Sequence, residues 1–189
     1  MRCLKCGSFT FKFICKNCKR VLSEFESGCR DIDGFKVYSF YKYDDIKSLI
    51  HSKHRMHGHF VFRELAKLSF SKFADTFKFD SNVNVVSIDD QISSGYSHTA
   101  VLAHSMKREF LKPIYGALRA TNKVKYSGKT LEFRKNNPRN FKLLKEVNNP
   151  VILVDDIITT GSSMKEAKNL LLSCGKLPLF GLVLADARE

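Results

Sequence analysis

Residues 151–163, VILVDDIITTGSS, constrain the fold more than any other part of the chain. Four apolar residues run directly into Asp155 and Asp156, and two further apolar residues precede Thr-Thr-Gly-Ser-Ser. A continuous apolar run is typical of a strand buried on both faces, as in the centre of a parallel sheet. Gly161 suits a tight turn, and Ser162 suits the start of a helix. The segment therefore predicts a buried strand, a glycine turn and a helix in immediate succession.

Strand and helix patterns alternate along the rest of the chain. We expect strands at residues 36–43, 83–88, 114–118, 151–154 and 179–184, and helices at 44–51, 59–77, 97–110 and 162–173. This alternation predicts a mainly parallel sheet covered by helices on both faces, the α/β class. The 189 residues suffice for one ordinary domain with a small appendage. We assign residues 1–33 to the appendage, with its connection near 28–34, and residues 34–189 to the larger domain.

The end of the predicted strand at 151–154 is a candidate ligand site, because parallel sheets bind ligands at the carboxyl ends of their strands. Main-chain amides of residues 158–163 would converge at the positive end of a helix dipole, which suits a phosphate. The carboxylates of Asp155 and Asp156 suit sugar hydroxyls, or a Mg²⁺ ion held by the same ligand. The pattern thus predicts a site for a phosphorylated ribose. A capped helix with a merely solubilising acid pair is the alternative.

Four of the six cysteines form two Cys-x-x-Cys pairs near the N-terminus: Cys3 with Cys6, and Cys15 with Cys18. This spacing predicts a structural zinc ribbon, in which four thiolates leave the metal no open position. The alternative is either two disulfides, which the reducing cytoplasm disfavours, or free thiols. Residues 9–13, FTFKF, predict a short hairpin. Its phenylalanines either fill the ribbon's own core or offer a stacking surface for bases.

Thirty-two Lys and Arg residues against nineteen Asp and Glu residues give a net charge of +13. This charge favours phosphates, nucleic acid or anionic lipid, although compositional bias alone also produces basic chains. Residues 120–140 combine basic and aromatic side chains, and they are either a single-strand binding surface or a solvated loop. The candidate contacts are Lys123, Lys125, Tyr126, Lys129, Arg134 and Arg139. No apolar run is long enough to span a bilayer, and no apolar signal segment opens the chain, so we expect a cytoplasmic protein.

Residues 151–163 resemble the thirteen-residue signature of type I phosphoribosyltransferases: four apolar residues, two acids, two apolar residues, Thr-Thr-Gly and two small hydroxyl residues. The resemblance implies a phosphoribosyltransferase-like parallel sheet and a site for phosphoribosyl pyrophosphate, with Mg²⁺ as a companion ion. By position, Asp155 and Asp156 would contact the ribose hydroxyls. The loop that binds the 5′-phosphate would consist of Ile158, Thr159, Thr160, Gly161 and Ser162.

Nearly the whole chain resembles the ComF (ComF/ComFC) competence family, in which a four-cysteine ribbon precedes such a domain. The resemblance rests on three further segments, SLIHSKHRMHG, VVSIDDQISSGYSHTAVLA and RKNNPRNF. The basic turn in the first segment makes Lys53 and Arg55 candidates for contacting pyrophosphate. The chain departs from the family's pattern in the middle loops, where prolines are absent and Ser94 and Ser97 stand where Arg and Asn are common.

The competence resemblance implies that the protein handles incoming single-stranded DNA in the cytoplasm, near the inner membrane and beside a helicase partner. Two other functions are compatible with the same pocket. One is a phosphoribosyltransferase that joins a base or an amine to phosphoribosyl pyrophosphate, and the other is a regulator that senses this compound. Because the sequence ends at Glu189, soon after the last predicted strand, we expect no C-terminal hood to orient an acceptor. Whether the protein is an enzyme stays open at this point, and no catalytic residue is assigned.

Overall fold

A six-stranded, mainly parallel sheet lies at the centre of the computed structural model, which describes residues 1–88, 92, 95–122 and 131–188. Its strands are β1 (Gly28–Ile32), β2 (Phe35–Lys42), β3 (Val83–Ser87), β4 (Leu111–Ile114), β7 (Val151–Ile158) and β8 (Pro178–Asp186), and β5 (Leu118–Ala120) pairs with β6 (Phe141–Leu143) in a separate ribbon. The order across the large sheet is β1-β2-β8-β7-β3-β4. Only β1 runs antiparallel to its neighbour. The predicted parallel α/β class is therefore confirmed.

Helices cover both faces of this sheet. The described helices are α1 (Lys16–Ser23), α2 (Tyr43–Ile50), α3 (Gly58–Leu68), α4 (Phe70–Thr76), α5 (His98–Ser105), α6 (Leu131–Asn136) and α7 (Ser162–Ser173), with a 3₁₀ turn at His51–His54. Ile152 and Val154 of β7 belong to a core shared with α2 to α5, and Val151 and Leu153 belong to a second core beneath α7. The central strand is buried on both sides, as its continuous apolar sequence predicts.

Four predicted element boundaries are wrong: the helix expected at 97–110 ends at Ser105, and the other three differ for local reasons. The single helix expected at 59–77 breaks at Ser69 (φ −124°, ψ −79°), where the hydroxyl donates to the Leu65 carbonyl 2.7 Å away and competes with the helix. The strand expected at 114–118 is two strands, β4 and β5, separated by a turn with Gly116 at φ +63°. Strand β7 continues past Val154 to Ile158, because it pairs with β8 as far as Asp186.

The connection expected at 28–34 is instead a strand and a hairpin turn. Strand β1 pairs with β2, and Asp33 and Gly34 between them both have positive φ, +51° and +75°. Asp-Gly is a strong sequence signal for a two-residue hairpin, and it accounts for this turn. The main sheet thus begins at Gly28, before residue 34, where the sequence analysis starts the larger domain. The division into two domains stays a prediction.

The N-terminal cysteine-containing segment packs against the face of the sheet that carries α2 to α5. Cys3, Ile14, Cys18 and Leu22 are buried in the same core as α2 and α3. Phe13 stacks on His57, with ring centroids 5.3 Å apart and an interplanar angle of 15°. The hairpin expected within residues 9–13 is not formed. Residues 11–14 form a bend, and an antiparallel bridge joins Arg2 to Phe9 instead.

None of the helices that the structure describes is both long enough and apolar enough to cross a membrane.

Candidate functional site

The junction between β7 and α7 is the strand, glycine turn and helix that the sequence predicts. Gly161 adopts a left-handed conformation (φ +79°, ψ 0°), and α7 begins at the next residue. The first turn of a helix leaves amide groups without partners inside the helix, and the helix dipole adds positive charge there. The hydroxyls of Thr160 and Ser162 lie 2.9 Å apart at this end of α7. The junction thus offers amide and hydroxyl donors at one place.

Glycine is required at position 161 for two reasons. Residues that carry a side chain rarely adopt the positive φ found at position 161. In addition, a Cβ atom there would lie 2.5 Å from Cδ1 of Ile32 on β1. The loop is therefore packed closely against the edge hairpin. Thr159 and Thr160 are nevertheless exposed, and a small pocket is lined by Asp155 together with residues 157–164. The loop is open to solvent on the side where a ligand would enter.

The acid pair lies at the same end of β7, and its two members have different surroundings. Asp155 is half-buried, lines the pocket and accepts a hydrogen bond from the Asp156 amide at 2.8 Å. Asp156 is buried, and its Oδ2 atom contacts Lys53 Nζ at 2.8 Å and His98 Nε2 at 3.5 Å. The negative charge of Asp156 is thus balanced by neighbouring cations of the protein, while Asp155 faces the loop.

These surroundings shift the two carboxyl pKa values in opposite directions. Burial, with the nearby charge of Asp156 second, raises the pKa of Asp155 well above its usual value. Burial also opposes the ionisation of Asp156, but His98 and Lys53 together hold the pKa of Asp156 below its usual value. The same ion pair outweighs the burial of the Lys53 ammonium and raises the pKa of Lys53. The pair therefore carries its negative charge mainly on Asp156.

Of the two predicted pyrophosphate contacts, the structure brings Lys53 to the acid pair and leaves Arg55 exposed at the surface of the turn. The Tyr96 hydroxyl donates to the Lys53 carbonyl at 3.2 Å and holds the turn from outside. Gly58 allows this close packing, because a Cβ atom there would overlap the Ser52 carbonyl and the Tyr96 hydroxyl. Sequence reasoning did not identify Tyr96 or His98 as site residues. The only sequence feature that points to them is the Gly95-Tyr96 pair just before α5.

The sulfur atoms of Cys3, Cys6, Cys15 and Cys18 all lie within 4.8 Å of one another, so the predicted clustering of the four cysteines is confirmed. All four are free thiols, and the Sγ atoms of Cys6 and Cys15 are 3.8 Å apart. A tetrahedron with metal–sulfur bonds of about 2.3 Å has sulfur–sulfur edges of about 3.8 Å. Amides of Cys15 and Cys18 donate to sulfur atoms of the cluster at 3.3 and 3.4 Å. The cluster therefore fits a metal ion that prefers thiolates.

Most of the predicted nucleic-acid contacts cannot be placed. Lys123, Lys125, Tyr126 and Lys129 lie outside the described residues, as does the side chain of Arg134. Arg139 is half-buried, and its amide donates to Glu166 of α7 at 2.9 Å. Among the N-terminal phenylalanines, Phe9 and Phe11 are 82% and 100% exposed, whereas Phe13 fills the contact with His57 and Phe60. Core filling is thus the role of Phe13 only.

No family model and no curated protein matches the chain. Solved structures similar to it include a hypoxanthine phosphoribosyltransferase from Staphylococcus aureus, at 16% identity and a TM-score of 0.39 over 68% of this chain and 66% of that chain. UMP synthase from Leishmania donovani has 15% identity and a TM-score of 0.39 over 90% of this chain and 31% of that chain. Adenine phosphoribosyltransferase from Trypanosoma brucei, solved with AMP, pyrophosphate and ribose-5-phosphate, is also similar. It has 12% identity and a TM-score of 0.40 over 89% of this chain and 79% of that chain.

Proposed function

We propose that the junction of β7 and α7 binds a phosphorylated ribose, with phosphoribosyl pyrophosphate as the compound that the sequence signature implies. The observation that carries this proposal is the left-handed Gly161, which places a helix N-terminus, two hydroxyl groups and Asp155 around one pocket. The phosphate would bind to residues 158–162, where amides and hydroxyls donate. The ribose hydroxyls would bind to Asp155 on the adjoining side.

In this proposal, Lys53 changes its partner when the full ligand binds. Its ammonium group is paired with Asp156, so a contact with pyrophosphate requires it to exchange one anion for another. Arg55 is exposed in the same turn and would add a second cation. Mg²⁺ is usually held by one or two carboxylates together with substrate phosphates. Asp155 fits that role better than Asp156, whose Oδ2 atom already contacts Lys53. Bound Mg²⁺ would neutralise charge on the pyrophosphate.

Calorimetry with ribose 5-phosphate, and with phosphoribosyl pyrophosphate plus Mg²⁺, tests this proposal, with ribose as the ligand that lacks phosphate. The variant Gly161→Ala should lose binding, because the new Cβ atom displaces the loop. Gly175→Ala is a matched control, since Gly175 is also left-handed (φ +69°) but has open space around it at the far end of α7. Both variants are expected to lose about 1 kcal/mol of stability through the positive φ, and Gly161→Ala more than Gly175→Ala, because its Cβ atom also overlaps Ile32. A wild-type protein that binds neither phosphorylated ligand would refute the proposal.

We further propose that the protein handles single-stranded DNA, as the resemblance to the competence family implies. The net charge of +13 supports this proposal, as does the exposed pair of Phe9 and Phe11 beside Lys12. The Arg2 guanidinium lies 4.9 Å from the centre of the Phe9 ring. Cations that follow a backbone and rings that stack on bases are the two usual features of single-strand binding. A helicase partner and a cytoplasmic site near the inner membrane are proposed on the resemblance alone.

The salt dependence of oligonucleotide binding tests this second proposal. A triple change of Lys125, Lys129 and Arg134 to Glu should weaken binding and flatten its dependence on salt. Changing the exposed Lys36, Lys47 and Lys145 to Glu alters the net charge equally and serves as the control. Equal losses in both triple variants would indicate a diffuse effect of charge rather than a binding surface.

The alternatives to DNA handling are a transferase and a sensor that use the same pocket. A transferase should release pyrophosphate when an acceptor base or amine is supplied, and Asp155→Asn should abolish the release. A sensor should bind phosphoribosyl pyrophosphate without turnover, and its affinity for a partner should change on binding.

We also propose that the cysteine cluster holds zinc, with Cys3, Cys6, Cys15 and Cys18 as its ligands. Four thiolates in a tetrahedral arrangement leave no position for substrate, so the metal would stabilise structure only. Elemental analysis of the purified protein should give about one zinc per chain. Cys6→Ser should lower that content, whereas Cys29→Ser, which changes an exposed cysteine outside the cluster, should not.

A further inference from the structure

Arg30 is a largely buried cation that joins the edge strand β1 to the loop after β7. Its side chain is 16% exposed, and its Nη1 atom donates a hydrogen bond to the Thr159 carbonyl. Its Nη2 atom donates to Oδ1 of Asp186, at the end of β8, at 2.5 Å. The two contacts lie on the two Nη atoms of one rigid guanidinium group. Arg30 therefore fixes the distance between the loop and β8.

The contact with Thr159 determines the direction of the next amide. In a trans peptide the carbonyl oxygen and the following N–H point to opposite sides, and the described chain has no cis peptide. The Thr159 carbonyl points toward Arg30 and β1, so the Thr160 N–H points away from them. A second contact acts in the same sense, because the Ala187 amide donates to the Ile158 carbonyl at 2.8 Å. Two successive carbonyl groups are thus held on the sheet side of the loop.

We propose that Arg30 is a positioning residue for phosphate binding: it turns the Thr159 carbonyl out of the pocket and thereby aims the Thr160 amide at the phosphate. This inference rests on the proposed function of the loop and adds a residue that lies more than 120 positions away in sequence. Without Arg30, the hydrogen bond that holds the Thr159 carbonyl on the side of β1 is lost, and the peptide between Thr159 and Thr160 can turn. Its carbonyl oxygen would then face the phosphate and repel it.

Ile32, on the same strand, supports the loop from the apolar side by packing against Gly161. Arg188 supports the network from outside, since its Nε atom donates to Asp186 at 2.6 Å and its Nη2 atom donates to the Cys29 carbonyl at 2.9 Å. Its side chain is 55% exposed, and its described contacts do not include the loop. Arg188 is therefore the natural comparison for Arg30, because it shares Asp186 but not Thr159.

The test measures the affinity for ribose 5-phosphate by calorimetry and follows the Thr160 amide signal by NMR. Arg30→Met should weaken binding by about tenfold or more, as expected for the loss of a charge-assisted hydrogen bond. Arg30→Lys should also weaken it, because an ammonium group lacks the two-pronged geometry of a guanidinium. Arg188→Met should bind within about twofold of the wild-type protein. Adding methylguanidinium to Arg30→Ala should restore part of the affinity and the ligand-induced shift of the Thr160 signal, which a purely structural role would not produce.

The outcomes separate this inference from the function on which it rests. A wild-type protein that does not bind ribose 5-phosphate contradicts the proposed function. If Arg30→Lys and Arg30→Met bind ribose 5-phosphate as tightly as the wild-type protein, with the same ligand-induced shift of the Thr160 signal, only the role of Arg30 is contradicted. If Arg30→Met does not fold, Arg30→Lys decides, because it retains the charge and most of the volume.

Discussion

Asp155 and Asp156 are neighbours in the chain, yet the fold gives them different tasks. Asp156 is the buried partner of Lys53 and His98, and Asp155 is the acid that lines the pocket. A carboxyl group with a raised pKa costs stability at neutral pH, because ionisation favours the unfolded state. Binding of Mg²⁺ at Asp155 in the proposed complex would favour the ionised form, which also accepts hydrogen bonds from ribose hydroxyls.

Asp155→Asn should therefore make the protein more stable at pH 7 while it weakens sugar binding. Between the unfolded pKa of Asp, about 4, and the raised folded pKa, the stability of the wild-type protein should fall as pH rises. That decline should be smaller in Asp155→Asn, and the two proteins should converge at more acidic pH. Urea unfolding at a series of pH values measures the difference. A variant that is less stable than the wild type at pH 7 would contradict the raised pKa of Asp155.

Lys53→Met should destabilise the protein by about 3 kcal/mol, because it leaves the Asp156 charge buried with one cation fewer. The double variant Lys53→Met, Asp156→Asn should regain most of this loss. The pKa of Asp156 is lowered in the folded state, so the stabilisation from this carboxylate is present above its unfolded pKa and disappears as the pH falls through the folded pKa. Chemical denaturation of the four proteins in the cycle, at pH 7 and near pH 3, checks both statements. Additive effects would mean that the ion pair is not coupled.

At the scale of elements, the turn that carries Lys53 is held between α3 and the step before α5. Gly58 begins α3 and packs against both the Ser52 carbonyl and Tyr96. This arrangement explains how Lys53, which belongs to a largely exposed basic turn, reaches the buried Asp156. The position of Lys53 therefore depends on this close backbone packing as well as on its ion pair with Asp156.

Gly58→Ala should destabilise the protein by about 1–3 kcal/mol through overpacking, and it should displace the turn from the acid pair. Gly34→Ala is a useful comparison, because Gly34 has no neighbour within 4 Å and carries only the cost of its positive φ. Ligand affinity, measured beside the free energy of unfolding, should fall in Gly58→Ala and remain unchanged in Gly34→Ala. Equal affinities would show that the turn plays no part in the site.

The elements differ in how far sequence predicts them. The VILV run predicts a central strand, because the pattern depends only on burial on both faces. The extension of β7 through Asp155 and Asp156 was not predictable, since it depends on pairing with β8. Arg30 was also missed, because nothing near it in sequence indicates that β1 lies beside the loop. The clustering of the four cysteines was predicted, because it follows from their spacing, whereas the hairpin expected at residues 9–13 does not form.

At the scale of the whole molecule, the cysteine-containing segment shares one core with the sheet. Cys3 and Cys18 are buried in the same cluster as residues of α2, α3 and β8. Tyr41 of β2 donates its hydroxyl hydrogen to the Leu22 carbonyl of α1 at 2.8 Å. Metal binding at the cluster should therefore stabilise the whole chain rather than a detachable unit.

Removal of the metal by a chelator should lower the melting temperature of the protein in one transition. Calorimetry of the metal-loaded and the chelated protein measures this, and a loss of about 2–4 kcal/mol would correspond to roughly 4–16 °C. Re-addition of Zn²⁺ should restore the original value. Two separate transitions, with the later one unchanged by chelation, would show that the cluster and the sheet fold independently.

Strand β4 closes the described sheet on the side opposite to β1, and its four residues include Pro113. Proline has no amide hydrogen, so this outer edge is a poor template for the addition of a strand from another molecule. In the proposed binding to a single strand, copies of a protein with 32 basic side chains would lie close together along the polymer. The short edge interrupted by proline would then hinder neighbouring copies from joining into intermolecular sheets.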